Sequence, residues 1–283
     1  METHWQLRDR LIDLSRRGMV MGILNVTPDS FSDGGRYLGC EAAVVHGRAM
    51  CAGGAAIIDV GGESTRPGAR EVSAGQELER VLPVIRALAA EGVLLSIDTS
   101  KAEVADAALV AGAAILNDVT GLCGDPEMAA VAARHRAGLI VMHMQGRPRE
   151  MQKNPCYRDV VAEVRGFFDA QYRAALAAGI APEALVFDPG IGFGKTLEHN
   201  LALLRALPGL VVQGRPLALG VSRKSFLGAL LDSAEIEDRG WPTVALTAYG
   251  RERGVPIHRV HEVAPNLAAM RMTEAILFGP GEN

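Results

Sequence analysis

One unit recurs along this chain: a short run of β-favouring residues, a polar loop, then an Ala/Leu-rich stretch with helical apolar spacing. The β runs fall at 20–24, 57–60, 94–97, 115–116, 139–142, 185–187, 217–221 and 257–260. Helical patterns cover 41–51, 76–90, 102–110, 127–136, 160–178, 197–207, 243–253 and 267–277. Such alternation demands a parallel sheet, because each helix must carry the chain back across one face. Eight units with no linker between them predict one closed (β/α)8 TIM barrel over residues 19–283. The 283-residue length suits a single barrel, and 48% hydrophobic residues supply one large core. A doubly wound open sheet is the alternative. Residues 1–18 stand outside the repeat and predict a short hairpin turning at 15–18.

In a barrel, chemistry collects where the strands end, because the βα loops there form one rim. Read in order, that rim offers Asn25, Asp59, Asp98, Asn117, His143, Asp188, Ser222 with Lys224, and Arg259 with His261. The opposite ends are duller, with Gly92, Gly138, Ala184 and Pro216 just before their strands. This one-sidedness predicts a site ringed by all eight strands.

The densest motif is LVFDPGIGFGKT, residues 185–196. Asp188 ends the strand, Pro189 stops the ladder, and Gly190, Gly192 and Gly194 free the backbone for close approach. Thr196 is placed to cap the next helix. It is not a P-loop, since the first glycine of that motif is replaced by Pro189, and its G-x-G-x-G is not the dinucleotide fingerprint.

Other loops add to it. ILNVTPDSFSDGGR (23–36) is longer than a βα loop needs to be, which suits a lid or a surface excursion. Asn25 at its root can offer a neutral oxygen to Mg²⁺ or simply cap the strand end. DVGGESTRPGAREVS (59–73) sets Ser64, Thr65 and Arg66 before a Pro67–Gly68 turn, an anion-binding trio or a solvated loop. Asp98 either faces the barrel or caps a helix; of Asn117 and Asp118, one must face inward. Arg223 and Lys224 precede a helix, where bases are unfavourable unless an anion is near. Alternation puts Arg259 and His261 on one face. His261-Glu262 does not begin a zinc H-E-x-x-H, because its fifth position is Pro265. Acids and Asn117 form one arc, suited to a flat heterocycle with N–H donors. Arg66, Arg259 and His261, with Lys224 between, form another, suited to phosphate.

Bulk properties narrow the partners. A net charge of −4 gives no basic field for nucleic acid. Cys40, Cys51, Cys123 and Cys156 show no ligand spacing and suit reduced thiols in a cytoplasm. The N-terminal residues mix acids and bases, unlike a signal peptide, and no apolar run approaches a membrane span.

The ordered blocks NVTPDSFSDGG, ESTRPGA, SIDTSK, LNDVTG, VMHMQG, FDPGIGFGK, SRKSFLG and RVHEV resemble the motif series of the dihydropteroate synthase family. The resemblance runs from about Gly22 to Val263. It implies a transferase of folate biosynthesis that joins 6-hydroxymethyl-7,8-dihydropterin pyrophosphate to p-aminobenzoate and releases pyrophosphate. By that resemblance Asp98, Asn117, Asp188 and Lys224 hold the pterin. Asn25 binds Mg²⁺ with the pyrophosphate, which Arg259, His261, Thr65 and Arg66 grip. Phe193, Pro67, Thr65 and Ser222 line the p-aminobenzoate pocket, for which sulfonamides compete. Asp98, Lys224 and Arg66 are the expected catalytic set, and a homodimer through the last helices is implied.

Two rivals remain at this point. A pterin-binding methyl transferase serving a corrinoid protein has no need of the S-T-R-P-G and S-R-K blocks. A non-catalytic pterin-binding barrel would show loss of the first loops or of Lys224, and both are present. Departures from the family pattern are Glu262, where Asp is common, and a more charged stretch with Pro256 before the last strand.

Overall fold

A computed structural model describes residues 3–27, 35–64, 71–146 and 149–279. Its centre is an eight-stranded parallel sheet in the order β8-β7-β6-β5-β4-β3-β10-β9. The strands are β3 (Met19–Asn25), β4 (Ile57–Gly61), β5 (Leu95–Asp98), β6 (Ile115–Asp118), β7 (Gly138–Met142), β8 (Leu185–Asp188), β9 (Ala218–Leu219) and β10 (Ile257–Val260). A parallel bridge between Phe187 and Leu217 brings the two edges together, so the sheet is a nearly closed barrel. The open-sheet alternative is thereby excluded.

Helices α1 (Gly35–Ala52), α2 (Ala74–Ala90), α3 (Ala102–Val110), α4 (Met128–His135), α5 (Val160–Ala177) and α6 (Leu197–Arg205) follow the first six strands. Their apolar faces meet the outward strand residues in one core that includes Val60, Ile97, Leu116, Val141 and Phe187. The seventh unit departs from expectation. The predicted strand 217–221 shrinks to Ala218–Leu219, because beyond it Lys224 N–H turns back to the Val221 carbonyl. Two helices follow, α7 (Ser225–Leu230) and α8 (Gly240–Glu252), before β10 and the last helix, α9 (Val263–Phe278). Thr196 caps α6 as its position suggests, accepting from His199 N–H at 3.2 Å.

The hairpin is present, but its turn is elsewhere. Strands β1 (His4–Leu7) and β2 (Arg10–Asp13) pair antiparallel with Leu7 opposite Arg10, so the turn is Arg8–Asp9. Arg8 takes φ 52° there. It is repaid by a backbone bond to the Arg136 carbonyl at 2.8 Å and side-chain bonds to the Leu109 and Ala113 carbonyls at 2.5 Å. Residues 15–18 instead lead the chain into the barrel, where Gly18 N–H donates to Glu274 at 2.6 Å. A side chain on Gly18 would overlap the Pro256 carbonyl.

Trp5 explains what the hairpin is for. Fully buried, it joins Leu7 and Leu14 against Met21, Ile57, Ile115, Ile140, Val186, Ala218 and Ile257. These strand residues form the apolar layer inside the N-terminal end of the barrel. Trp5 Nε1 donates to the Ala184 carbonyl at 2.9 Å, so its one polar group is satisfied. The bottom is plugged with hydrocarbon, which leaves the other end for polar chemistry.

Candidate active site

Two residues further along β4, β6, β8 and β10, the same inward alternation replaces hydrocarbon with functional groups, and on β9 with a bare glycine. Ile57 gives way to Asp59, Ile115 to Asn117, Val186 to Asp188, Ala218 to Gly220 and Ile257 to Arg259. Strand β5 contributes Asp98 at its last position, and β3 contributes Asn25. Asp98, Asn117 and Asp188 are all buried, as the acid arc requires.

Arg259 organises this layer. Its Nε donates to Asp59 Oδ2 and its Nη2 to Asp98 Oδ2, each at 2.6 Å. Asn117 Nδ2 donates to the same Asp59 oxygen at 3.0 Å. Two acids thus share one cation, and among the described residues Asp59 Oδ1 and Asp98 Oδ1 have no hydrogen-bond partner. Burial raises Asp98 to a pKa of about 7; Arg259 opposes the rise, and the Asp59 charge adds to it. Asp98 is therefore no helix cap: α3 begins after Lys101, and the carboxylate faces the barrel. Of its neighbours on β6, Asn117 points inward, while Asp118 accepts from Thr120 and Leu122 N–H groups and shapes its own loop.

Asp188 and Lys224 form the adjoining corner. Asp188 Oδ1 accepts from Gly190 N–H at 2.7 Å. Burial pushes the Asp188 carboxyl up, partly offset by Lys224. Lys224 is pushed down to about 8 by burial, against the pull of Asp188. Its ammonium lies 4.5 Å from the centre of the Phe193 ring and donates to the Ile191 carbonyl. Between Asp188 and Lys224, Gly220 leaves a bare floor where no side chain projects.

The glycine loop is a close approach of backbone to backbone as much as to any ligand. At Gly190, φ is +63° and a side chain would overlap the His143 carbonyl; at Gly194 it would overlap Gln145. Across the rim, Ser222 Oγ and His261 Nδ1 are 2.9 Å apart, and His261 N–H donates to Ser222 Oγ at 3.2 Å. These two predicted site residues come together as a unit. Arg223, with φ 56°, turns away and pairs with Glu262 at 2.6 Å, so Lys224 alone of the two bases faces the cleft.

Thr65, Arg66 and Pro67 lie outside the described residues, as do residues 28–34 of loop 23–36 and 65–70 of loop 59–73. Ser64 is described at the edge of the second of these. Just before it, Glu63 receives Lys101 Nζ at 2.5 Å, and the buried Glu77 receives the same ammonium at 2.6 Å.

Spacing alone assigns no chemistry to Asp59, to Lys195 or to His143. Asp59 was detectable as a charge two residues after an inward isoleucine. His143 stands on the rim by sequence, but Lys195 carries no such signal, because its pairing with His143 depends on how the glycine loop folds. Lys195 Nζ lies 3.0 Å from His143 Nδ1, with both groups buried.

For a metal, Asn25 Oδ1 is the available neutral oxygen, at the level of Gly61 and Asp98. Among the described residues, no three His, Cys, Asp or Glu side chains gather into a ligand cluster. This donor set fits a hard cation that brings its other ligands as water and substrate phosphate.

Residues 21–261 match the family described as pterin binding enzyme. A dihydropteroate synthase of Synechocystis sp. is 48% identical over 267 residues, spanning 94% of this chain and 92% of its own. The dihydropteroate synthase of Yersinia pestis, solved with a sulfonamide drug complex, superposes with a TM-score of 0.90 at 45% identity, covering 97% of this chain and 99% of that one. That of Xanthomonas albilineans, solved with 4-aminobenzoic acid, gives a TM-score of 0.91 at 42% identity and covers 99% of this chain and 100% of its own.

Proposed function

The chain belongs to the dihydropteroate synthase family of pterin binding enzymes, and from that premise we propose how its residues carry the reaction. It is a transferase that condenses 6-hydroxymethyl-7,8-dihydropterin pyrophosphate with p-aminobenzoate to 7,8-dihydropteroate, releasing pyrophosphate, in folate biosynthesis. One observation carries the assignment of roles: the layer in which Asp98, Asn117 and Asp188 face inward beside Arg259 and Lys224.

The acids and Asn117 accept from the amino and ring N–H groups of the pterin, which stacks above the bare floor at Gly220. The Lys224 ammonium sits where it donates to the pterin edge while its stem lines the cleft. Arg259, His261, Thr65 and Arg66 receive the pyrophosphate. The C–O bond to that leaving group breaks first, and the carbocation left on the pterin methylene is stabilised by the Asp98 carboxylate. The lone pair of the aryl amine then forms the C–N bond, and the resulting anilinium passes its proton to water. Phe193, Ser222, Thr65 and Pro67 hold the aryl ring; the Phe193 face beside Lys224 suits an aromatic acid. Asn25 is the residue that would hold Mg²⁺. When bound, the ion supplies charge neutralisation to the leaving group.

Two broader features belong to the same reading. The protein works as a cytoplasmic homodimer paired through its last helices. Cys40, Cys51, Cys123 and Cys156 are all free thiols, and among the described residues no helix is long and apolar enough to cross a membrane. On α8 and α9, Trp241, Met272, Ile276 and Phe278 expose apolar surface of the kind a second copy covers.

The test is pteroate formation from dihydropterin pyrophosphate and p-aminobenzoate, with and without Mg²⁺. Mg²⁺-dependent product, inhibited competitively by a sulfonamide, is expected. Tight pterin binding without product would overturn the catalytic reading in favour of a binding protein or a methyl transferase.

A further inference from the structure

The carbonyls of the glycine loop are held one by one, and from two sides. On the cleft side, Lys224 takes the Ile191 carbonyl. Behind the loop, Gln152 Nε2 takes that of Gly192 and Tyr157 Oη that of Gly194 at 2.9 Å. Asn200 Oδ1 accepts from Gly192 N–H at 2.8 Å. The carbonyl between them, that of Phe193, is taken by Lys195 Nζ at 3.0 Å.

Lys195 is the least expected member of this set. Its side chain is only 3% exposed. The ammonium reaches His143 Nδ1 at 3.0 Å and the His143 carbonyl at 3.3 Å, besides Phe193. His143 is itself wedged edge-on against Phe167, with ring centres 5.0 Å apart. Burial and the nearby lysine keep the imidazole neutral, with a pKa of about 3, so it serves as an acceptor. Burying a lysine is costly. Burial and the neighbouring Lys224 push Lys195 down to about 7, yet three acceptors still tie its amine, and with it the loop, to the end of β7.

We propose that Lys195 is a positioning residue for the aryl amine: through the Phe193 carbonyl it fixes the Phe193 ring beside Lys224, and so sets the shape of the p-aminobenzoate subsite. This rests on the assignment of Phe193 to that subsite given above. Selectivity follows from topology. Asp98 is held by β5 and Arg259 and Asn117 by β6 and Asp59, none of which Lys195 touches; of the pterin residues only Asp188 feels its charge, and Asp188 is fixed by β8 and the Gly190 N–H. Phe193 stands on a loop whose backbone has no sheet partner of its own. Releasing its carbonyl therefore loosens one substrate's pocket and leaves most of the other's in place.

The experiment compares wild type, Lys195→Met and Lys195→Gln in steady-state kinetics, with pterin binding read by fluorescence titration. Met fills the space without a donor; Gln keeps an amide N–H for Phe193. Lys195→Met is expected to raise the KM for p-aminobenzoate about tenfold. The KM for dihydropterin pyrophosphate and the pterin Kd stay within about twofold, and Lys195→Gln recovers part of the loss. Should the Met variant not fold, the Gln variant carries the test, with a smaller rise confined to p-aminobenzoate. Equal rises for both substrates, or an unchanged KM for p-aminobenzoate, would overturn the proposal. Absence of product from the wild type would instead overturn the functional reading, so the two failures are distinct.

Discussion

Arg259 and Asp59 lie 200 positions apart in the chain and meet inside the barrel, with the guanidinium Nε donating to the Asp59 carboxylate at 2.6 Å. Asp59 has no exposed surface, and Arg259 spends a second donor on Asp98. A single cation thus permits two carboxylates at the floor of a substrate cleft. Removing it leaves both uncompensated. Arg259→Met is expected to lower stability by about 3 kcal/mol, the low end for breaking a buried pair because the arginine is partly exposed. Adding Asp59→Asn to that variant removes one orphaned charge and should restore a third or more of the loss. Urea unfolding of the two single variants and the double variant measures this. Additive losses would show that Asp59 and Arg259 do not depend on each other.

Asp98 tests the same cluster through its proton. Its pKa in the folded protein, about 7, lies above the ordinary 3.8, chiefly because of burial. The native state therefore binds this proton more tightly than the unfolded chain does. Its contribution to stability is fully present below pH 3.8 and is lost as pH rises through about 7. Asp98→Asn cannot titrate, so it should gain stability relative to wild type as pH rises from about 4 to about 7, as read by urea unfolding at each pH. In turnover the sign is opposite. The carboxylate form stabilises the developing cation, so wild-type kcat should fall on the acid side of about pH 7. Asn should cost on the order of 10²-fold in kcat while weakening pterin binding less than tenfold. A flat acid limb in the wild type would remove the carboxylate from the transition state.

Much of this layer was legible because inward strand positions recur every second residue. Ile57 then Asp59, Val186 then Asp188, and Ile257 then Arg259 each mark the height at which hydrocarbon ends. The capping role of Thr196 was legible for the same reason, since it is local. What alternation cannot show is pairing across the ring. Nothing near Arg259 in sequence indicates that it neutralises two acids on β4 and β5. Nor does FGK reveal that Lys195 pairs with a histidine just past the end of β7. The hairpin turn was misplaced because Ser15–Gly18 has the better turn composition. At Arg8, tertiary bonds to three carbonyls outweigh the cost of a left-handed arginine.

Gly220 offers a test of where the pterin lies that leaves every polar group in place. A methyl group there would stand 3.5 Å from Asp188 Oδ2, 3.9 Å from Lys224 Nζ and 4.0 Å from Arg259 Cβ. All three are ordinary contacts, and the backbone at Gly220 is not in the left-handed region. The protein alone therefore accepts alanine, with stability expected within about 0.5 kcal/mol of wild type. Gly190→Ala is the contrast, since its methyl would overlap the His143 carbonyl at φ +63°. A flat ring seated on the Asp188–Lys224 floor has no such tolerance, because the methyl occupies the space of the ring itself. Gly220→Ala should raise the pterin Kd at least about tenfold, the scale on which one methyl group in a pocket discriminates. Thermal unfolding and fluorescence titration give the two quantities on one preparation. Unchanged pterin affinity in a normally folded variant would move the pterin off this floor.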